Sequence, residues 1–162
     1  MWKWSAAPAD KMATIFVNGC FDLLHEGHRT FLTMAKNLGH GRRGLTKWTL
    51  APTTPHRLIV AVNSDRYARE LKQARWGDNY PRDPLQQRIE RLRAFADETW
   101  SFDDEGSLYK LIEGSLPCIL CKGPDYADRE TEVTGSDIAP VIILDTPETE
   151  EIRELKRKAY ML

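Results

Sequence analysis

The stretch Thr14-Ile15-Phe16-Val17-Asn18-Gly19-Cys20-Phe21-Asp22-Leu23-Leu24-His25-Glu26-Gly27-His28 decides the fold. Its opening is β-branched and aromatic and runs into Asn18-Gly19, which reads as a buried strand ending in a turn. Beyond it, Phe31, Leu32, Met34, Ala35 and Leu38 recur at helical spacing, and Gly39 stands where a helix would stop. His25 and His28 therefore fall in a strand-to-helix loop and the first helical turn. Unpaired backbone N–H groups and the helix dipole attract anions there. Imidazoles at such a corner can donate hydrogen bonds to phosphate oxygens and stabilise charge growing in a transition state. Gly27 is expected to leave room for a phosphate.

Taken singly, a histidine near a helix start is a cap or a solvated side chain. Taken together, a strand, Gly-x-Phe-Asp and His-x-Gly-His opening an amphipathic helix point to phosphate chemistry. The order His-Glu-Gly-His is not the zinc-protease pattern, which sets two histidines four apart on one helical face.

Working outward, strand signals lie near 14–18, 58–63, 98–102, 117–121 and 140–144, alternating with helix signals near 27–39, 65–72, 84–96, 105–113 and 148–159. Such alternation predicts an α/β domain, Rossmann-like, with a parallel sheet of about five strands and helices on both faces. Ligands then sit outside the carboxyl ends of the strands, at the point where strand order reverses. On this reading His25 and His28, then Lys72, Lys122, and Thr146 with Thr149 face one site. The length of 162 residues suits one domain, expected over 14–162 behind an N-terminal arm over 1–13.

A net charge of −1 argues against a general nucleic-acid binder. No apolar run approaches the roughly 20 residues that span a bilayer, and Met1 to Ala6 lacks a signal-peptide core, so a cytoplasmic protein is expected. Cys118 and Cys121 have metal-ligand spacing, but in a strand they point to opposite faces, and no second pair completes a tetrahedral site. With Cys20, these are expected to be reduced, small hydrophobes.

Gly19 to His28 resembles the signature of the cytidylyltransferase-like nucleotidyltransferases, and the resemblance covers most of residues 14 to 144. Ile59-Val60-Ala61-Val62-Asn63-Ser64-Asp65 looks like the family's second strand and its Asp-ended turn. Glu70-Leu71-Lys72 resembles its lysine-bearing segment, and Pro84-Leu85-Gln86-Gln87-Arg88 the start of its next helix. Trp100-Ser101-Phe102-Asp103-Asp104, Cys121-Lys122-Gly123-Pro124-Asp125-Tyr126 and Gly135-Ser136-Asp137 look most like the adenylyltransferase domain of the heptose-phosphate enzymes.

The resemblance implies a transferase in which an acceptor phosphate attacks the α-phosphorus of a nucleoside triphosphate and pyrophosphate leaves, with Mg²⁺ helping to hold the phosphates. ATP with a sugar 1-phosphate of the heptose kind is the implied pair. The alternatives are a CTP-dependent cytidylyltransferase acting on glycerol 3-phosphate or a phosphorylated amino-alcohol, and a non-catalytic nucleotide-binding module. By carry-over His25, His28 and Lys72 are catalytic. Gly19, Cys20, Phe21, Gly27, Lys122, Gly123, Asp125, Thr146 and Thr149 bind nucleotide, and Asp22, Arg75 and Arg88 bind acceptor. No residue is assigned as a metal ligand.

Three departures stand out. Where the family has a Ser-Thr-Thr cluster opening the last helix, this chain has Glu148-Thr149-Glu150-Glu151-Ile152, and only Thr149 matches. Tyr80-Pro81 stands where the heptose branch has Arg-Pro, so Arg75 or Arg82 is the candidate substitute. Two segments also exceed the family core. Residues 41–57 read as a loop at the amino edge of the sheet, and Gln73 to Asp83 as a lid folding over the site, its aromatics and arginines gripping base, sugar or phosphate. Trp2, Trp4, Trp48 and Trp76 lie in expected loops or the arm, and interface cores are enriched in Trp; a homodimer is expected.

Overall fold

The inner strands of the sheet divide their side chains between two cores, as a period of two requires. A computed structural model describes residues 13–38, 56–146 and 148–161. The strands are β1 (Ala13–Gly19), β2 (His56–Asn63), β3 (Glu98–Phe102), β4 (Cys118–Lys122) and β5 (Val141–Ile143). The helices are α1 (Glu26–Lys36), α2 (Asp65–Trp76), α3 (Leu85–Leu92), α4 (Glu105–Gly114) and α5 (Glu150–Tyr160). All strand pairings are parallel, in the order β3-β2-β1-β4-β5. This is the expected Rossmann-like α/β sheet, and its order reverses between β1 and β4.

Ile15 and Val17 of β1, Leu58, Val60 and Val62 of β2, and Ile119 and Cys121 of β4 pack on one face with Leu32 and Ala35 of α1 and Leu92 of α3. Phe16, Ile59, Ala61, Cys118 and Leu120 pack on the other with Leu108 and Ile112 of α4. Cys118 and Cys121 thus enter opposite cores as free thiols. Burial pushes the pKa of both thiols up, that of Cys118 to about 12. Gly135 has φ +88° and lies against Ile112, whose Cδ1 would be 2.9 Å from an added Cβ, so only glycine fits.

Several boundaries differ from expectation. α2 runs four residues past Lys72 because Gln73, Ala74 and Arg75 favour helix, and it stops at Gly77, whose φ is +77°. α3 ends at Leu92, not 96; Phe95 and Ala96 donate back to the Leu92 carbonyl in a closing turn. β2 takes in His56 and Arg57 from the expected loop. Ala13, expected in the arm, joins β1; the rest of the arm and of that insertion, with Trp2, Trp4 and Trp48, lies outside the described residues.

The expected lid is instead built into the fold. The backbone N–H groups of Arg82 and Asp83 donate to the Asp22 carboxylate at 2.8 and 2.9 Å, and the Tyr160 hydroxyl donates to it at 2.6 Å. Tyr80 is buried against Tyr160, and Trp76 packs on the same ring at a centroid distance of 5.3 Å. Trp76 therefore folds back onto its own subunit rather than standing as an exposed interface residue. The exposed large apolar side chains among the described residues are Leu71, Leu116, Leu155 and Met161.

Candidate active site

The β1–α1 corner is held by its two histidines. His25 is the N-cap of α1, and its Nδ1 accepts from the Gly27 N–H at 3.1 Å. The His28 Nδ1 in turn accepts from the His25 N–H at 3.3 Å, closing a capping box in which imidazoles replace the usual hydroxyl and carboxylate. The rings stack, with centroids 3.7 Å apart and planes 17° from parallel, and Phe21 meets His28 edge-on.

These bonds fix the proton. A ring that accepts at Nδ1 must carry its hydrogen on Nε2, so both histidines are neutral and point an N–H donor away from the backbone. The His25 Nε2 is buried without a partner among the described residues. Burial is the main force holding both neutral, lowering His25 to about 4 and His28 to about 3. The Lys156 and Arg29 cations push the same way on both, His25 adds to the effect on His28, and Glu148 opposes it at His25.

The corner opens on a cleft with two adjoining lobes of about 320 and 380 Å³. Asn18 to Phe21, His25, His28, Lys122, Tyr126 and Lys156 line both. One lobe continues over Gly123, Asp125, Thr146 and Glu148; the other runs toward Asn63, Lys72, Trp76 and Tyr160. The cleft lies at the carboxyl ends of β1 and β4, where strand order reverses and parallel sheets take their ligands. Lys122, at the end of β4, sits 4.9 Å above the Tyr126 ring. Burial, reinforced by the nearby Lys72 cation, lowers it to about 8.

The structure thus gathers His25, His28, Lys72, Lys122, Gly19, Cys20, Phe21, Gly123, Asp125 and Thr146 around one cleft. Arg75 lies at its margin over the Trp76 ring, in a hollow shared with Asp125 and Glu148. Four assigned residues do other work. Arg88 is the largest fully buried side chain, and its guanidinium donates to the carbonyls of Cys20, Asn63 and Asp83 at 2.9–3.0 Å and to Asp65 at 2.6 Å. It ties the ends of β1 and β2 together instead of facing an acceptor. Asp22 is 4% exposed and occupied by Arg82, Asp83 and Tyr160, so it is a brace as well. The space at Gly27 is taken by protein: an added Cβ would meet His25 Cε1 and Ile152 Cδ1, each at 3.0 Å. This glycine serves close packing of α5 on the corner. Thr149 is spent as the N-cap of α5, accepting from the Ile152 N–H at 3.2 Å.

The sequence reading missed Lys156 and Glu148. Both line the cleft, and Lys156 Nζ is 3.1 Å from the Glu148 carboxylate. The one available signal was Lys156 falling one turn after Ile152 on the stripe of α5 that packs inward.

A family model described as Cytidylyltransferase-like matches residues 16–153. The chain belongs to the cytidylyltransferase-like family. Within that family it is 38% identical over 139 residues to the Bifunctional protein HldE of Citrobacter koseri, covering 83% of this chain and 24% of that protein. Against HldE of Escherichia coli O1:K1 / APEC the identity is 39% over 138 residues, with the same coverages. The chain spans about a quarter of the length of these relatives. A protein of unknown function from Archaeoglobus fulgidus shares the fold, with a TM-score of 0.51 at 18% identity, covering 84% of this chain and 90% of that one. As a cytidylyltransferase-like chain it carries a nucleotidyltransferase domain. No helix among the described residues is long and apolar enough to cross a membrane.

Proposed function

We propose that this chain transfers AMP from ATP to a sugar 1-phosphate such as heptose 1-phosphate, releasing pyrophosphate. The observation that carries this reading is the pair of stacked neutral histidines that line one cleft together with Lys72, Lys122 and Lys156. An oxygen of the acceptor phosphate forms a bond to the α-phosphorus. The bond from that phosphorus to the bridging oxygen breaks, and pyrophosphate departs with the electron pair. This chemistry demands positioning and charge neutralisation rather than a protein nucleophile. Neutral donors suit it, because their hydrogen bonds strengthen as negative charge builds on the phosphoryl oxygens. Lys122 and Lys72 supply positive charge from the two sides. Arg75 lies on the acceptor side of the same reading.

Mg²⁺ belongs to the proposal as a companion of the triphosphate, where it would neutralise phosphate charge. Among the described residues no group of three or more His, Cys, Asp or Glu side chains could hold a metal. The protein's contribution would thus be confined to the Asp125 and Glu148 carboxylates that line the cleft. Heptose as acceptor rests on the resemblance of Lys122 to Tyr126 and Gly135 to Asp137 to the heptose-phosphate enzymes. The family description favours a second reading, CTP with glycerol 3-phosphate or a phosphorylated amino-alcohol. A twofold homodimer in the cytoplasm completes the proposal, with light scattering as the check on its mass.

Pyrophosphate release, measured for ATP, CTP, GTP and UTP against heptose 1-phosphate, glycerol 3-phosphate and phosphocholine, tests the reading. Release with ATP and the sugar phosphate is expected. Release only with CTP and an alcohol phosphate selects the second reading. Triphosphate binding without release from any pair, in a folded sample, defeats both and leaves a nucleotide-binding module.

A further inference from the structure

Lys156 comes from the far end of the chain, on a helix whose first turn is acidic, yet it reaches the histidine corner. It is half-buried and lines both lobes of the cleft. Its charge acts on both His25 and His28. Two contacts seat α5 for this and a third bond caps it. Ile152 packs into the gap left by Gly27, the Tyr160 hydroxyl is bound by Asp22, and Thr149 caps the helix start. The Thr149 hydroxyl is thereby committed to the Ile152 N–H. The first turn of α5 otherwise offers the carboxylates of Glu150 and Glu151, which would repel a polyphosphate.

We propose that Lys156 is the polyphosphate-binding residue contributed by α5, and that Glu148 is the carboxylate that holds its ammonium in the cleft until a polyphosphate arrives. The inference deepens the nucleotidyltransferase reading and rests on it for the identity of the ligand. The Glu148 carboxylate is 3.1 Å from Lys156 and is partly exposed at the mouth of the same lobe. A polyphosphate brings several anionic oxygens where Glu148 brings one carboxylate, so exchange of partner favours the ligand. Lys72, Lys122 and Lys156 then approach the cleft from α2, β4 and α5, three separate elements, while the histidines donate from the corner between them.

Equilibrium binding of inorganic tripolyphosphate and of Mg-ATP to the full chain, followed by calorimetry, tests this without reference to the base or the acceptor. Lys156→Ala is expected to weaken both ligands by about 10- to 100-fold, as for loss of one charge-assisted contact, and to leave adenosine binding unchanged. Lys156→Arg is expected to retain binding within a few-fold. Glu148→Gln is expected to bind tripolyphosphate at least as tightly as the parent, since a competing carboxylate is gone. Tripolyphosphate binding to Lys156→Ala within twofold of the parent overturns the proposal, and so does an equal loss of adenosine, which marks a packing defect. Absence of polyphosphate binding by the parent also overturns it. If Lys156-dependent binding is found but no triphosphate is turned over, the catalytic reading fails and this site stands. If turnover is found and Lys156→Ala leaves KM for the triphosphate and kcat unchanged, the catalytic reading stands and this site fails.

Discussion

The β1–α1 corner and the α5 wall face each other across the same cleft, yet they are built on opposite principles. The corner is a local object: His25, Gly27 and His28 cap one another through bonds spanning two or three residues. The wall is assembled at long range, with Tyr160 reaching Asp22 across 138 positions and Ile152 filling the space beside Gly27. The Arg88 brace, wholly internal, ties the end of β1 beside the corner to the end of β2. The lesson is that chemistry can be encoded in ten adjacent residues while the cavity that makes it useful needs partners from the whole chain.

The largest effect is expected at the brace. Arg88→Ala would strand the carbonyls of Cys20, Asn63 and Asp83 and leave Asp65 without its cation. A stability loss of about 3–5 kcal/mol is expected, read from urea unfolding. A variant of parental stability that had lost only acceptor binding would return Arg88 to the substrate side of the comparison.

Next comes the corner itself. His28→Ala should cut turnover by about 10²–10³-fold, the cost of one transition-state donor, and His25→Ala should match it. The pyrophosphate assay measures both, with circular dichroism as the check on folding. Parental turnover in either variant would break the proposed roles.

The wall should respond more gently. Tyr160→Phe removes a hydrogen bond to a buried carboxylate and is expected to lower stability by about 1.5–3 kcal/mol, visible in thermal melting. Turnover lost beyond what the folded fraction explains would show that α5 positions Lys156 through this bond.

Mild acid tests the buried state of the corner directly. Both histidines titrate lower in the fold than in the unfolded chain, at about 4 and about 3 against 6.5. The folded state then binds fewer protons, so their contribution is complete above pH 6.5. It declines as pH falls and is exhausted once both folded values are passed. Burial, with Lys156 and Arg29 adding to it and Glu148 opposing it at His25, sets how far down in pH the decline runs. Melting temperature followed from pH 8 to pH 4 should drop below pH 6.5, and should drop less in His28→Ala. An equal slope in parent and variant would mean that other groups carry the acid sensitivity.

The alternation of strands and helices, the parallel sheet and the histidine corner were all legible in the sequence, because periodicity and short-range capping are local properties. Lys122 was legible because a parallel sheet sends the ends of its strands to one edge, and Lys72 because Glu70-Leu71-Lys72 resembles the family's lysine-bearing segment. Tertiary structure alone decided the rest. Asp22 and Arg88 are charged residues in a site-like motif, and nothing local distinguishes a charge that faces a ligand from one that satisfies buried backbone groups; the partners of Arg88 lie as far as 68 positions away. Gly27 reads as space for a ligand until α5 is seen to fill it. Lys156 reads as one more charge on an amphipathic helix, and becomes part of the site only because Ile152 and Tyr160 dock that helix against the corner. The sequence by itself determined which chemistry is available; the packing of α5 and the Arg88 brace determined which charges face the cleft, since burial and long-range hydrogen bonding exist only in the folded chain.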